Sequence, residues 1–361
     1  MERFGFLIHP ISVRKDVARK YPIARYLPES WVEAAMTVMP PKTVSHITGV
    51  RSATGAEAEG WFVGCPLTPR QFLELDERFV TRKIIRAAQI AQAEGAKIVG
   101  LGAYTSIAGD GGITVAEHVD IAITTGNSYT CATAIEGARQ GAELMGIDPR
   151  RACVAIVGAT GSIGRVCAHL LAADGVGEMI LIGRDQTRLR QVAEELPAGT
   201  SCRIATDLER ELPHAEIIVT VTSAVEAVIE PRHLRPGAVV CDVARPRDVS
   251  VRAAKERDDV LIIEGGVVAV PGEVEFNFNF GFPPRTSYAC MAETIILALE
   301  GRYESFSLGK DLSLDRVREI GRLATKHGFK LAGFRSFEKA VTPEQIAKVR
   351  ERAEAKIKSR A

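Results

Sequence analysis

The chain has 361 residues, with 46 Lys+Arg against 45 Asp+Glu, 46% hydrophobic and 25% charged. That length fits two or so domains, each large enough to bury its own core. A formal net charge of +1 gives no electrostatic case for nucleic acid or an anionic membrane as partner, and the well-mixed charges and high apolar fraction exclude disorder.

The N-terminus lacks the basic region and sustained apolar stretch of a signal peptide, and no apolar run approaches the ~18 residues of a membrane span. The expectation is a cytoplasmic protein with no stable membrane insertion. Residues 4–8 read as a strand. Thr68-Pro69 is a cap followed by proline at the first helical position, and it predicts a helix to about Gly95. Phe72, Val80, Ile84, Ala88 and Ala91 recur at helical spacing along it. A buried strand over 97–103 leads into Thr105-Ser106-Ile107 and a glycine-rich loop. Another over 119–124 leads into Thr125-Gly126-Asn127-Ser128 and a helix reaching Gly146. Residues 1–150 thus read as an N-terminal α/β domain for substrate.

From Arg151 strands and helices alternate regularly, with apolar strands over 153–157, 179–183, 217–221, 238–243 and 260–263. Continuous apolar strands belong to a parallel sheet covered on both faces, so 151–270 reads as a doubly wound Rossmann domain. In the C-terminal segment, 271–361, Pro283-Pro284 precedes a helix predicted over 285–300. Thr342-Pro343-Glu344-Gln345 then opens a terminal amphipathic helix with the stripe Ile346, Val349, Ala353 and Ile357, expected to pack on its own domain.

Gly158-Ala159-Thr160-Gly161-Ser162-Ile163-Gly164 lies between an apolar strand and a helix, the context in which a glycine fingerprint signals a dinucleotide. Gly158 permits the turn, Gly161 the approach of the pyrophosphate, and Gly164 the packing of helix on sheet. An NAD enzyme would place a carboxylate roughly twenty positions further on, for the ribose hydroxyls. Arg184 stands there, with Arg188 one turn later, and a guanidinium grips a 2′-phosphate, so NADPH is the expected cofactor. A slip of one residue would bring Asp185 to the ribose instead. Thr222 and Ser223 end the strand over 217–221, and Gly265 and Gly266 follow the strand over 260–263. Both pairs are candidates to border the cofactor.

The seven cysteines are Cys65, Cys131, Cys153, Cys167, Cys202, Cys241 and Cys290, and no CxxC pair occurs. No metal-ligand cluster is visible. Cys153, Cys167, Cys202 and Cys241 lie on core elements. Cys131 and Cys290 each sit near a predicted helix N-terminus, where the dipole lowers a thiol pKa, and spacing alone does not choose between them.

A resemblance chooses. The motifs Arg51-Ser52-Ala53-Thr54-Gly55, Thr105-Ser106-Ile107, Thr124-Thr125-Gly126-Asn127, Gly265-Gly266-Val267-Val268, Ala289-Cys290-Met291-Ala292-Glu293 and His327-Gly328-Phe329 occur in this order around the glycine loop. On them the chain resembles the aldehyde-forming long-chain acyl-(acyl-carrier-protein) reductases over residues 4–329. The resemblance implies that Cys290 is the acyl-accepting nucleophile and that the substrate is a fatty acyl thioester of acyl carrier protein or coenzyme A. It also implies that NADPH reduces the acyl-enzyme to fatty aldehyde. The chain departs from the family pattern at Tyr104, at Tyr129 and in the helix after Phe329.

Asn127, or the backbone at Gly265-Gly266, is a candidate oxyanion donor, and Tyr129 and Glu293 are candidate acids. Arg82-Lys83-Arg86 is a basic run that an acidic carrier protein could meet, although such a run on a helix is ordinarily a solvated face. The competing readings are an NADP-dependent dehydrogenase of shikimate or glutamyl-tRNA reductase type, and a non-catalytic NADP sensor.

Overall fold

The computed structural model describes residues 1–337 and 339–359. It divides into two units. The first comprises residues 1–129, 268–312 and 318–330, and the second 130–267, 313–317 and 331–361. Residues 271–361 therefore form no body of their own, and Cys290 belongs to the same unit as the N-terminal strands.

The first unit is built on a mixed six-stranded sheet. Its strands are β1 (Glu2–Ile8), β2 (Lys42–Arg51), β3 (Glu57–Gly64), β4 (Ile98–Leu101), β5 (Ala122–Thr124) and the strand Gly272–Glu275. β1 runs parallel to β3 and β4, β4 runs parallel to β5, and β2 adds antiparallel at β3. β4 and β5 are buried throughout, so their C-terminal ends deliver Tyr104 and Gly126 to one edge of a dry core.

The helix predicted from Thr68 to Gly95 is two helices, Pro69–Glu74 and Glu77–Ala93. Leu75 is extended, and Asp76 starts the second helix by accepting a hydrogen bond from the Phe79 amide at 2.9 Å. A capping carboxylate competes with helix continuation, and hydrophobic spacing does not register it. The C-terminal helix also starts later than predicted. Arg285 has φ +59°, and Thr286–Tyr288 is extended, so the helix is Ala289–Leu299.

Lys83 is no solvated charge. It is 7% exposed and donates to the carbonyls of Met36 at 2.9 Å and Thr37 at 2.7 Å, with burial lowering its pKa. Those carbonyls lie in the last turn of the helix Glu29–Val38, where a cation meets the negative end of the dipole. Near the middle of that helix, Glu33 accepts from Thr68 Oγ1 at 2.9 Å and pairs with Arg70. Together these contacts clip a small helical layer, residues 13–38, to the body of the unit.

The second unit is a six-stranded, all-parallel sheet in the order β11-β10-β9-β6-β7-β8. Its strands are β6 (Cys153–Val157), β7 (Glu178–Ile182), β8 (Cys202–Ala205), β9 (Ile217–Thr220), β10 (Val239–Asp242) and β11 (Leu261–Glu264). This is the doubly wound order, and its topological switch falls between β6 and β9, where such folds bind a dinucleotide. The terminal helix Pro343–Lys358 starts from the capping box of Thr342 and Gln345 and buries Ile346 and Ala353. Lys356 binds Asp258 at 3.0 Å, so this helix packs within its own unit, as expected.

Replacing Lys83 with Met keeps the apolar stem and strands two helix-end carbonyls. The expected cost is about 1–3 kcal/mol in denaturant unfolding, with faster hydrogen exchange confined to residues 29–38.

Candidate active site

Cys290 is the second residue of the helix Ala289–Leu299 and is half-buried. The N-cap residue, Tyr288, makes no side-chain capping bond, and the helix dipole places partial positive charge at the thiol's end of the helix. Against this turn lies Gly126, with φ +75°. A Cβ at Gly126 would stand 2.2 Å from the Cys290 Cα and 2.3 Å from its Cβ. Only a residue without a side chain lets the end of β5 lie on the cysteine backbone.

One turn further along, Glu293 is fully buried. Its carboxylate accepts from Thr124 Oγ1 at 2.5 Å, the Tyr129 amide at 2.7 Å and Ser307 Oγ at 2.8 Å. Burial pushes its pKa up, and these donors, with the Gly126 amide, oppose that shift. Ser307 has φ +54°, a strained conformation for serine, and its Oγ, with its proton on Glu293, accepts from the Ser128 hydroxyl at 2.6 Å. Glu293 therefore clamps the 124–129 loop to the Cys290 helix.

Asn127 is half-buried at the first position of the helix Asn127–Leu144, one residue from the Gly126–Cys290 contact. Tyr129 is 4% exposed, and its amide serves the same clamp. Cys290, Asn127, Tyr129 and Glu293 are thus brought together, with Thr124 and Ser307 completing the cluster. Thr124 ends a strand the sequence predicts and opens one of the quoted motifs, but its hydroxyl's partner is not legible there; Ser307 carries no sequence signal at all.

The remaining thiols differ. Cys131 and Cys167 are buried, while burial pushes Cys65 up to about 12, Cys202 to about 11, and Cys153 and Cys241 upward. Phenylalanines at 276, 278, 280 and 282, a spacing of two that the sequence reading passed over, form an aromatic row. Phe280 meets Phe62 at 5.7 Å, and Phe282 meets Tyr288, the residue capping the Cys290 helix, at 4.4 Å.

In the second unit, β6 turns at Gly158, with φ +86°, into the helix Ser162–Ala173. Gly161 is the N-cap, leaving the amides of Ser162, Ile163 and Gly164 to an anion. A Cβ at Gly164 would lie 2.3 Å from the Gly158 carbonyl oxygen, so this position is held to glycine by the turn it closes on. Ala159 is buried beneath the turn, and Thr160 is half-buried on it. Arg184 and Arg188 are exposed just beyond β7. Asp185 caps the following helix, accepting from the amides of Thr187 and Arg188 at 3.0 and 3.1 Å. The cradle fits a dinucleotide, and the cofactor is NADP(H).

Two predicted contacts look different in place. Thr222 donates both its hydroxyl and its amide to Asp248, the amide at 2.9 Å, so its polar groups serve the loop itself. Ser223, the next residue, is exposed. Gly265 faces Val243 and Cys241 side chains at 2.7 and 2.9 Å from a notional Cβ, and Gly266 has φ +76°. The glycine pair thus has a packing reason of its own. Behind this loop, Asp242 accepts from the amides of Ala244 at 3.1 Å and Val249 at 3.0 Å, and burial pushes it up to about 7.

Residues 142–263, within the second unit, match the family model described as shikimate / quinate 5-dehydrogenase. The chain is 32% identical over 352 residues to the long-chain acyl-[acyl-carrier-protein] reductase of Synechococcus elongatus, covering 90% of this chain and 98% of that one. It is 34% identical over 359 residues to the aminotransferase PigE of a Serratia species, covering 95% of this chain and 41% of that protein's length. Among solved structures, the NAD-dependent malic enzyme of Thermotoga maritima aligns with a TM-score of 0.44 at 12% identity, over 98% of this chain and 84% of that one.

Gly126→Ala forces the β5 end off the Cys290 turn. It is expected to cost ~2 kcal/mol or more in thermal unfolding and to change the rate at which iodoacetamide labels Cys290. Asp242 supplies a pH dependence. Its pKa rises from an ordinary 3.8 to about 7 on folding, so the stability from its protonation is full below pH 4 and is lost as pH climbs through 7. Asp242→Asn should narrow the difference in unfolding free energy between pH 5 and pH 8 by ~1 kcal/mol or more, read from denaturant midpoints.

Proposed function

Because the chain belongs to the family of the long-chain acyl-[acyl-carrier-protein] reductase, we propose that it reduces a long-chain acyl thioester to the fatty aldehyde at the expense of NADPH. The observation that carries this reading is the placement of Cys290. It is half-buried at a helix N-terminus, while every other thiol is buried or has its pKa raised by burial.

The Cys290 thiolate attacks the thioester carbonyl carried by acyl carrier protein or coenzyme A. A bond from Sγ to the acyl carbon forms, the bond to the carrier sulfur breaks, and the carrier leaves as its thiol. NADPH, when bound, supplies hydride. The resulting hemithioacetal at Cys290 collapses, expelling the thiolate and releasing aldehyde. Exchange of one thioester for another is nearly isoenergetic, which suits a cysteine over a serine. Asn127 and the first-turn amides of the Cys290 helix are the proposed donors to the oxyanion, and Glu293 is the residue that keeps both in place. The aromatic row ending at Tyr288 is the proposed wall for the apolar chain.

The test uses purified protein with NADPH and acyl thioesters of graded chain length, following cofactor absorbance and aldehyde together. Cys290→Ala is expected to lower thioester-dependent oxidation by on the order of 10³ or more with NADPH affinity unchanged. Oxidation that needs no thioester, or that survives the substitution, overturns the proposal.

A further inference from the structure

The helical layer of residues 13–38 has two unlike faces. Its helix Glu29–Val38 turns Val32, Glu33 and Met36 inward. Outward it presents Trp31, Ala34, Ala35 and Val38, at i, i+3, i+4 and i+7, with Trp31 69% and Val38 83% exposed. The turn before it exposes Ile23 at 67% and Tyr26 at 86%. An amphipathic surface helix ordinarily puts polar residues on its outer stripe, and here the outer stripe is apolar.

The same layer carries a cationic excess. It holds Arg14, Lys15, Arg19, Lys20 and Arg25 against Asp16, Glu29 and Glu33, with all five cations and only Asp16 before the helix, in a chain whose net charge is +1. Asp16 is occupied by the amides of Ile11 and Ser12 at 2.8 and 2.9 Å. Arg14 pairs with Glu29, and Arg19 donates to the Asn279 carbonyl. Lys15, Lys20 and Arg25 are exposed and make no ion pair among the described residues.

We propose that this face docks the protein, peripherally, on an anionic lipid bilayer. Aromatic and aliphatic side chains set singly among cations match the two levels of a bilayer surface: acyl chains for Ile23, Trp31 and Val38, and headgroup phosphates for Lys15, Lys20 and Arg25. Tyr26 and Trp31 are the residue types that settle at that boundary. The clips at Glu33 and Lys83 hold the layer from behind, so its outer face is presented already ordered. The inference stands independently of the reaction proposed above.

The chain has two tryptophans, so a Trp61→Phe background leaves Trp31 as sole reporter. The full chain is floated with vesicles of phosphatidylglycerol and phosphatidylcholine, and with phosphatidylcholine alone, over a salt series. Binding to the anionic vesicles only, a blue shift of Trp31 emission and loss of binding at high salt are expected. Lys20→Glu with Arg25→Glu, and separately Ile23→Asp with Tyr26→Asp, should each weaken binding ~tenfold or more, with unchanged thermal midpoints because all four side chains are exposed. No vesicle binding, or binding that ignores both pairs, overturns the proposal. So does a Trp31 shift produced without vesicles, either by self-association of the chain or by purified acyl carrier protein.

Discussion

A carboxylate removed from water must be met by donors, and the way Glu293 is met organises the active end of the first unit. Its oxygens draw in a threonine from β5, an amide from the loop beyond it, and a serine from a separate segment near residue 307. Replacing those bonds with water is impossible at zero exposure, so loop, helix and segment stay in register. Cys290 is one turn away on the same helix. Its position against Gly126 follows from the clamp, and no contact made by the thiol itself is needed to explain it. The strain at Ser307 belongs to the same account: an unfavourable backbone angle is tolerated where two buried hydroxyls and a carboxylate gain partners from it.

The second unit solves a different problem, the holding of a phosphate without a buried countercharge. Helix-end amides and the absence of two Cβ atoms do this locally, which is why the segment from Gly158 to Gly164 could be read directly from sequence. Its supporting loop could not. Asp248 reaches Thr220 and Thr222 across 28 and 26 positions, and Asp242 reaches Val249 across seven. In the sequence these are ordinary acidic residues between strands. Only the parallel order of β9 and β10 places them together behind the cofactor edge.

The same distinction separates what was legible elsewhere. The continuous apolar strands of the second unit and the capping box at Thr342 are local patterns and appear where expected, whereas the half-buried edge strand Cys202–Ala205 lacks such a run and was not expected. The break at Leu75-Asp76 and the late start at Ala289 are local too, but each depends on backbone angles that hydrophobic spacing cannot register. Cys290 was selected over Cys131 by resemblance. The structure supplies a physical difference, since Cys131 is fully buried and Cys290 is half-buried. The sequence offers Glu293 only as a candidate acid, because its partners lie 14 to 169 positions away.

Charge shows most clearly why composition and placement must be argued separately. Arg82, Lys83 and Arg86 form one run on one helix, yet only Arg82 and Arg86 meet solvent. Lys83 points under the helical layer and is spent on two carbonyls. The run therefore offers solvent two cations one helical turn apart, not three, a weaker attraction for an acidic carrier. Meanwhile five cations that the near-zero total conceals gather over residues 11–28, and three of them are exposed outside any ion pair among the described residues. Screening over about 8 Å at physiological salt means that a surface responds to its nearest charges and is blind to the rest of the chain. A net charge of +1 is then no argument against an anionic partner. The relevant quantity is local excess, and Lys83, removed from one basic surface, anchors the layer that carries the other.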